Sequence, residues 1–338
     1  MKQRIISILK YTLIYTVITF VLLEGLLWIM GYRPYANTDY EVHSTPKNPY
    51  VAHDYLGIQL NPGTYQFTLN KKVKFRATHL ENNQRLISHS KLNQREKVTF
   101  LGCSYTYGYG VNDGQSFAAL AQRNHPEWKV ENKAVVGYGT AQHLLQLREM
   151  LQEESPQCVV LCLSSVHFIR TVLSQNYRAN LRIGYRRSAS NIDDRMDGAR
   201  FPYFDDYSGK VKHDTWEELY SELPGRYWSA SINLVQNLRD KLREPKCNAV
   251  DITAHLIREM KRLCDEKDIA FGVICLDSNH ETAALQEKLE NVDWKNVGFS
   301  FKSKKYTHLP YDSHPNAKGH KKIAQSVIPF IENLLKDE

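Results

Sequence analysis

The chain has 338 residues and is 42% hydrophobic, enough for one large α/β domain with additions. Its 44 lysines and arginines against 37 acidic residues leave a net charge of +7, spread through the sequence in small clusters such as Arg186-Arg187 and Lys302 to Lys305. No nucleic-acid motif accompanies that charge, which argues against nucleic acid as partner and reads as solvated surface beside anionic lipid headgroups or polysaccharide.

In chain order, Tyr11 to Gly31 comes first, a run long enough to cross a bilayer with Glu24 as its one charged residue. Lys2, Arg4 and Lys10 precede it, whereas Arg33, Asp39 and Glu41 follow. The positive-inside rule then puts the N-terminus in the cytoplasm and everything after residue 32 across the membrane, in a periplasm or outside the cell. The apolar run is too long for a signal peptide and shows no small-residue cleavage site, so residues 1–32 are expected to be a retained anchor, with a cleaved signal as the alternative. Glu24 would be costly in lipid and must either snorkel or pair with another chain.

Residues 33–95 are rich in Pro, Asn, Tyr and charge, and alternate in Tyr65 to Leu69 and Val73 to Ala77. This predicts a short hairpin through Asn70-Lys71-Lys72 in an ordered membrane-proximal collar. From residue 96 to 338 strands alternate with helices. Strands are expected at Lys97 to Leu101, Lys129 to Ala134, Cys158 to Leu163, Ile269 to Leu276 and, more weakly, Asn296 to Ser300. Helices are expected at Ser116 to Asn124, Ala141 to Gln152, Ala249 to Asp265, Glu281 to Leu289 and Ala317 to Leu335, the last kinked or ended by Pro329. That alternation predicts an α/β domain, a parallel sheet with helices on both faces. It fails between about residues 171 and 246, where ten Tyr, Phe and Trp residues from Tyr177 to Trp228 suggest an insertion, either a lid over the site or a packed subdomain.

The six cysteines, Cys103, Cys158, Cys162, Cys247, Cys264 and Cys275, form no C-x-x-C pair and meet no histidine cluster suited to zinc. Buried thiols are expected rather than disulfides, and no metal or other cofactor.

Two stretches carry chemistry. The apolar run Val98 to Leu101 stops at Gly102, and Ser104 follows in a Gly/Tyr-rich turn, which sets a hydroxyl at the C-terminal end of a strand where open α/β sheets bind ligands. A serine hydroxyl needs a base, and the base an anionic partner. Asp312 and His314, in a turn before a helix, offer both; Asp277 and His280, at the end of another strand, are the competing pair.

Together these residues resemble the SGNH hydrolases, or GDSL esterase and acylhydrolase family. Gly102-Cys103-Ser104-Tyr105-Thr106-Tyr107-Gly108 is similar to the first family block, with Cys103 in place of its aspartate. Gly137, five residues after Asn132, is similar to the second-block glycine. The third block departs most: Ser164 and Ser165 occupy the small positions, Val166 the asparagine and His167 the aspartate. The D-x-H spacing of Asp312 and His314, followed by Pro315-Asn316, is similar to that of membrane-anchored members, as are Asp54 to Gly57 and Asn61 to Gly63 of the collar.

The resemblance implies a three-layer α/β/α, flavodoxin-like parallel sheet and a serine esterase that works through an acyl-enzyme. It implies Ser104 as nucleophile, His314 as base and Asp312 as its orienter. The backbone N–H groups of Ser104 and Gly137 would hold the oxyanion, and His167, with Arg170 one turn later, would replace the absent asparagine. An acylated envelope saccharide or lipid would be the substrate, with the membrane held through residues 11–31. An acyltransferase of the same fold and an inactive saccharide-binding or assembly protein are the alternatives. The oligomeric state is not legible.

Overall fold

The computed structural model describes residues 2–36, 40–87, 96–188 and 192–336. Asp39, the end of the collar at 88–95 and residues 189–191 of the insertion lie outside the described residues. Helix α1 (Lys2–Ile29) opens the chain, and the collar follows with strands β1 (Val42–Thr45), β2 (Tyr50–His53), β3 (Gly57–Leu60), β4 (Gly63–Leu69), β5 (Val73–Leu80) and β6 (Gln84–Arg85). Beyond it come β7 (Glu96–Gly102), α2 (Ser104–Tyr107), α3 (Phe117–Asn124), β8 (Trp128–Asn132), α4 (Thr140–Glu153), β9 (Cys158–Leu163) and α5 (Val166–Thr171). The insertion holds α6 (Gln175–Ser188), α7 (Ile192–Met196), β10 (Arg200–Tyr203), β11 (Lys212–Thr215) and α8 (Ala230–Arg243). The chain ends with α9 (Ala249–Asp265), β12 (Ala270–Cys275), α10 (His280–Glu287), β13 (Asp293–Asn296), β14 (Thr307–His308), β15 (Asp312–Pro315) and α11 (Ala317–Leu334).

These elements divide into two units, Met1–Asp39 with Tyr220–Glu244, and Tyr40–Leu219 with Pro245–Glu338. In the smaller unit, α1 has 28 residues and is long and apolar enough to cross a membrane. At 1.5 Å per residue it is about 42 Å long, against a hydrocarbon thickness of about 30 Å.

The larger unit is built on a nine-stranded sheet of order β1-β4-β5-β6-β8-β7-β9-β12-β13. From β8 to β13 the pairs are all parallel, and the order of these five strands by sequence is 2-1-3-4-5, the flavodoxin-like arrangement. Strands β7, β9 and β12 are near-continuous apolar runs because both faces are covered. Alternate side chains serve the two faces. Val159, Leu161 and Val273 pack on α4 and α9, while Phe100, Val160, Cys162 and Ile274 pack on α3 and α11.

Three features differ from the sequence expectation. The sheet is mixed rather than wholly parallel, because the collar adds β6, β5, β4 and β1 antiparallel along β8. The expected hairpin is β4–β5, closed at Leu69 and Val73, and with its neighbours it covers what would be an exposed parallel edge. The weak fifth strand lies at β13, earlier than expected, since Gly298 at φ +62 breaks the extended backbone. Pro329 does not end α11: it stands on the exposed side, and burial of Val327, Ile328, Ile331 and Leu334 on the sheet outweighs the cost of a proline in a helix interior, about 3 kcal/mol for the lost hydrogen bond and the ring clash together.

The insertion takes one of the two forms expected of it. Phe201, Trp216, Leu219 and Tyr177 join Leu56, Ile58, Phe67 and Phe75 of the collar in a third core, so these aromatics form a packed subdomain and not a lid. Gly57 (φ +84) lies so close under the Phe201 ring that a Cβ would fall 2.6 Å from it. All six cysteines are free thiols, and all but the half-buried Cys247 are buried.

Candidate active site

Strand β7 ends at Gly102, where a Cβ would sit 2.2 Å from the Thr106 Oγ1, so the chain can fold back into α2 only if this residue lacks a side chain. Cys103 stands at the N-cap of α2 with its side chain buried and makes no side-chain cap. The first-turn N–H groups therefore donate to no side chain at the N-cap position, which usually accepts from them. The turn closes at Gly108, φ +87. Ser104 itself is only 4% exposed.

The segment after the serine is clamped by a residue from the collar. Arg85 is 1% exposed, and its guanidinium donates to the carbonyl oxygens of Tyr107 at 2.7 Å, Gly108 at 2.6 Å and Val111 at 2.6 Å, and meets Asp113 at 3.2 Å. It lies over the Tyr107 ring at 4.6 Å. Five planar N–H groups suit such a cluster of carbonyls, of which only Gly108 O has a second donor, the Val111 N–H, and a lysine could not serve them in the same way.

From the other side, β14 and β15 form a small ribbon that presents Asp312 and His314. His314 Nε2 lies 2.8 Å from Ser104 Oγ, and His314 Nδ1 lies 2.7 Å from Asp312 Oδ1. With Nδ1–H donating to the carboxylate, the hydrogen-bond network assigns Nε2 as the acceptor of the serine proton. The same Asp312 oxygen accepts the His314 backbone N–H at 2.7 Å, while the other accepts the Tyr40 hydroxyl at 2.5 Å. Burial pushes the Asp312 carboxyl up, but the hydrogen bonds and positive charge of His314, with the Tyr40 bond, prevail and hold it down to about 2. The rings of Tyr105 and Tyr109 flank the imidazole at 5.1 and 5.0 Å, and Tyr105 stacks on Phe301 at 4.1 Å. A base so bracketed has little freedom to leave the serine.

The oxyanion side is assembled differently. Gly137 has φ +88, and its carbonyl accepts the Tyr177 hydroxyl. Its loop is tied to the nucleophile strand, since Val135 N–H donates to Gly102 O at 3.1 Å and Asn132 Nδ2 to Thr106 O at 3.0 Å. His167 sits in α5 with no exposure, its ring 5.0 Å from that of His143, and neither ring nitrogen has a hydrogen-bond partner among the described residues. Burial, with the neighbouring His143 and the Arg170 charge, keeps its pKa well below the ordinary imidazole value. The residue expected as an oxyanion donor is thus a neutral, fully buried ring packed beside His143. Arg170 from the same helix reaches further, donating to Tyr138 O at 3.0 Å and hydrogen-bonding the Cys103 side chain.

The competing pair is not assembled. Asp277 accepts hydrogen bonds from the backbone N–H of Ser165, at 2.9 Å, and from its hydroxyl, while His280 is exposed in the first turn of α10. Asp277 thereby orients the third-block turn. Among the described residues no group of three or more His, Cys, Asp or Glu is placed to hold a metal ion.

Two residues escaped the sequence reading, Arg85 and Tyr40. Arg85 is one arginine in a polar stretch, and only its near-complete burial singles it out. Tyr40 lies 272 residues from its carboxylate partner and carries no local signal.

No family model matches the chain, and no curated protein matches it. Solved structures do. An esterase, EstA, from Pseudoalteromonas sp., in a structure inhibited by monoethylphosphonate, is 12% identical, covering 72% of this chain and 100% of its own at a TM-score of 0.38. A member of the lipolytic protein G-D-S-L family from Veillonella parvula is 10% identical over 70% of this chain and 97% of its own, with a TM-score of 0.37. An acetyl xylan esterase, AlAXEase, is 12% identical over 68% and 97%, with a TM-score of 0.39. At such scores the likeness carries no weight for activity, which rests on the site alone.

Proposed function

We propose that the chain is a membrane-anchored, extracytoplasmic serine esterase that removes acyl groups from an envelope saccharide or glycolipid. The observation that carries this reading is the unbroken run of hydrogen bonds from Ser104 through His314 to Asp312 at the C-terminal end of the sheet. Ser104 Oγ attacks the ester carbonyl as His314 Nε2 takes its proton; His314 then gives that proton to the leaving alcohol, and water repeats the cycle on the acyl-enzyme. Asp312 holds the tautomer and stabilises the imidazolium. The N–H groups of Ser104 and Gly137 hold the oxyanion, and Arg170, beside Cys103, supplies positive charge on that side where His167 does not reach. The relay speaks against the inactive alternative, since a protein that only binds saccharide has no use for a serine held at 2.8 Å from an oriented imidazole. Support for the anchor comes from the length and composition of α1 and from the basic residues that precede its apolar run.

The test is labelling of the full-length protein in detergent with a fluorophosphonate, alongside hydrolysis of an aryl acetate. Labelling lost in Ser104→Ala and hydrolysis lost in His314→Ala are expected. Labelling that persists in Ser104→Ala, or a wild type that neither labels nor hydrolyses, overturns the reading.

A further inference from the structure

Helix α8 turns the wrong face outward for a water-soluble surface. Its polar residues Gln236 and Asp240 point into the smaller unit, where Gln236 accepts from Leu223 N–H at 2.8 Å and Asp240 accepts the Tyr220 hydroxyl at 2.7 Å. Asn233, on the same face, donates to Arg33 O at 3.0 Å. At 100° per residue, Val235, Leu238 and Leu242 share the opposite stripe, and they are 54%, 53% and 81% exposed. Trp228, just before the helix, is 86% exposed.

The same helix is fastened to α1 at a defined depth. The Glu24 carboxylate accepts the backbone N–H groups of Ala230 and Ser231, each at 2.9 Å, and the Ser231 hydroxyl at 2.5 Å, together with the Ser229 hydroxyl. The charge that was costly in an apolar span therefore finds its partner within its own chain, at the positive end of a helix. Glu24 lies five residues before the end of α1, about 7.5 Å along its axis at 1.5 Å per residue. Amphipathic helices that lie flat in a bilayer surface do so roughly 5 to 10 Å into the headgroup and acyl boundary.

We infer that α8 is an interfacial membrane helix, with Trp228, Val235, Leu238 and Leu242 inserted among the lipids of the leaflet that α1 exits. Arg239 and Arg243 border the apolar stripe on one flank and Lys241 on the other, positions that meet lipid phosphates when the stripe is submerged. The exposed apolar side chains of α1 and this stripe belong to a single unit, fastened together through Glu24, which favours lipid over a second protein as the occupant. This inference rests on the anchored reading of α1.

The experiment uses the full-length protein in vesicles of phosphatidylcholine and phosphatidylglycerol, with an environment-sensitive fluorophore at Leu238→Cys, at Leu242→Cys or, as control, at the exposed Asn237→Cys, in a Cys247→Ser background. Flotation with the vesicles reports the anchor independently. Expected is a blue-shifted label at 238 and 242 that spin-labelled lipid quenches at least twofold more than the label at 237. A protein that floats while all three labels stay equally unquenched overturns the inference and leaves the anchor standing. A blue shift that lipid does not quench and that grows with protein density identifies a second copy as the occupant and overturns it as well. A protein that does not float removes both.

Discussion

The two halves of the candidate site contrast in how they are held. On the relay half, Ser104, His314 and Asp312 touch one another at 2.7 to 2.8 Å, and Tyr40 and the flanking tyrosines leave the imidazole one place to be. On the oxyanion half, His167 is buried against His143 without a hydrogen-bond partner among the described residues, and Arg170 is engaged with Tyr138 O. A proton relay works only through side chains in contact, so its residues and spacing stand out. An oxyanion is held by N–H groups at particular points, and the backbone at a glycine with positive φ supplies one whatever the neighbouring side chains are. That difference explains how such a site can do without a side-chain amide donor while the relay stays whole.

The contrast can be broken from the relay side first, where the effects are largest. Ser104→Ala or His314→Ala should lower kcat for an aryl acetate by about 10⁴- to 10⁶-fold with the Tm nearly unchanged. Asp312→Asn should cost about 10⁴-fold by leaving the wrong tautomer. Tyr40→Phe, which removes one hydrogen bond to that carboxylate, should cost only about tenfold.

The oxyanion half comes next. Gly137→Ala forces a positive φ on a side chain and brings a Cβ to 3.2 Å from the Tyr177 hydroxyl, and should lower kcat by about 10². His167→Leu should change kcat by less than about threefold; a loss of 10² or more would restore His167 as an oxyanion donor.

Between the halves, Arg85→Met leaves the buried carbonyls of Tyr107 and Val111 without their donor. It should destabilise the protein by roughly 3 to 5 kcal/mol, read in the denaturant midpoint, and should lower activity by loosening the turn after Ser104.

The smallest effects are those of pH. Burial pushes His143 down to about 3, so the unfolded chain takes up its proton below about 6.5 and the folded one does not. Its contribution is therefore complete above 6.5 and is lost by about 1 kcal/mol per pH unit on acidification toward 3. His143→Gln should flatten the dependence of Tm on pH between 6 and 4. Asp312, held down to about 2, acts with the same sign at lower pH, its contribution present above about 4 and lost on acidification toward 2.

Much of this was legible in the chain. The parallel core followed from apolar runs at Val98 to Leu101, Cys158 to Leu163 and Ile269 to Leu276, because a strand buried on both faces must be apolar throughout. Ser104, Asp312 and His314 were legible because chemistry constrains residue type and spacing locally. The collar strands were not, since β6 is two residues long and is recruited by the free edge of β8. The aromatic insertion could not be divided between lid and packing from composition, because a buried and an exposed aromatic look alike in sequence.

By itself, then, the sequence determined the apolar segment at the N-terminus, the positions of the parallel strands along the chain and the residue types of the relay, all of which are local or periodic properties. Tertiary structure decided the rest. Tyr40 reaches Asp312, Arg85 clamps the turn after Ser104, Glu24 caps α8 and His167 is buried against His143. Each of these depends on a partner distant in the chain, and a polar group's role is set by what it meets once water has been removed.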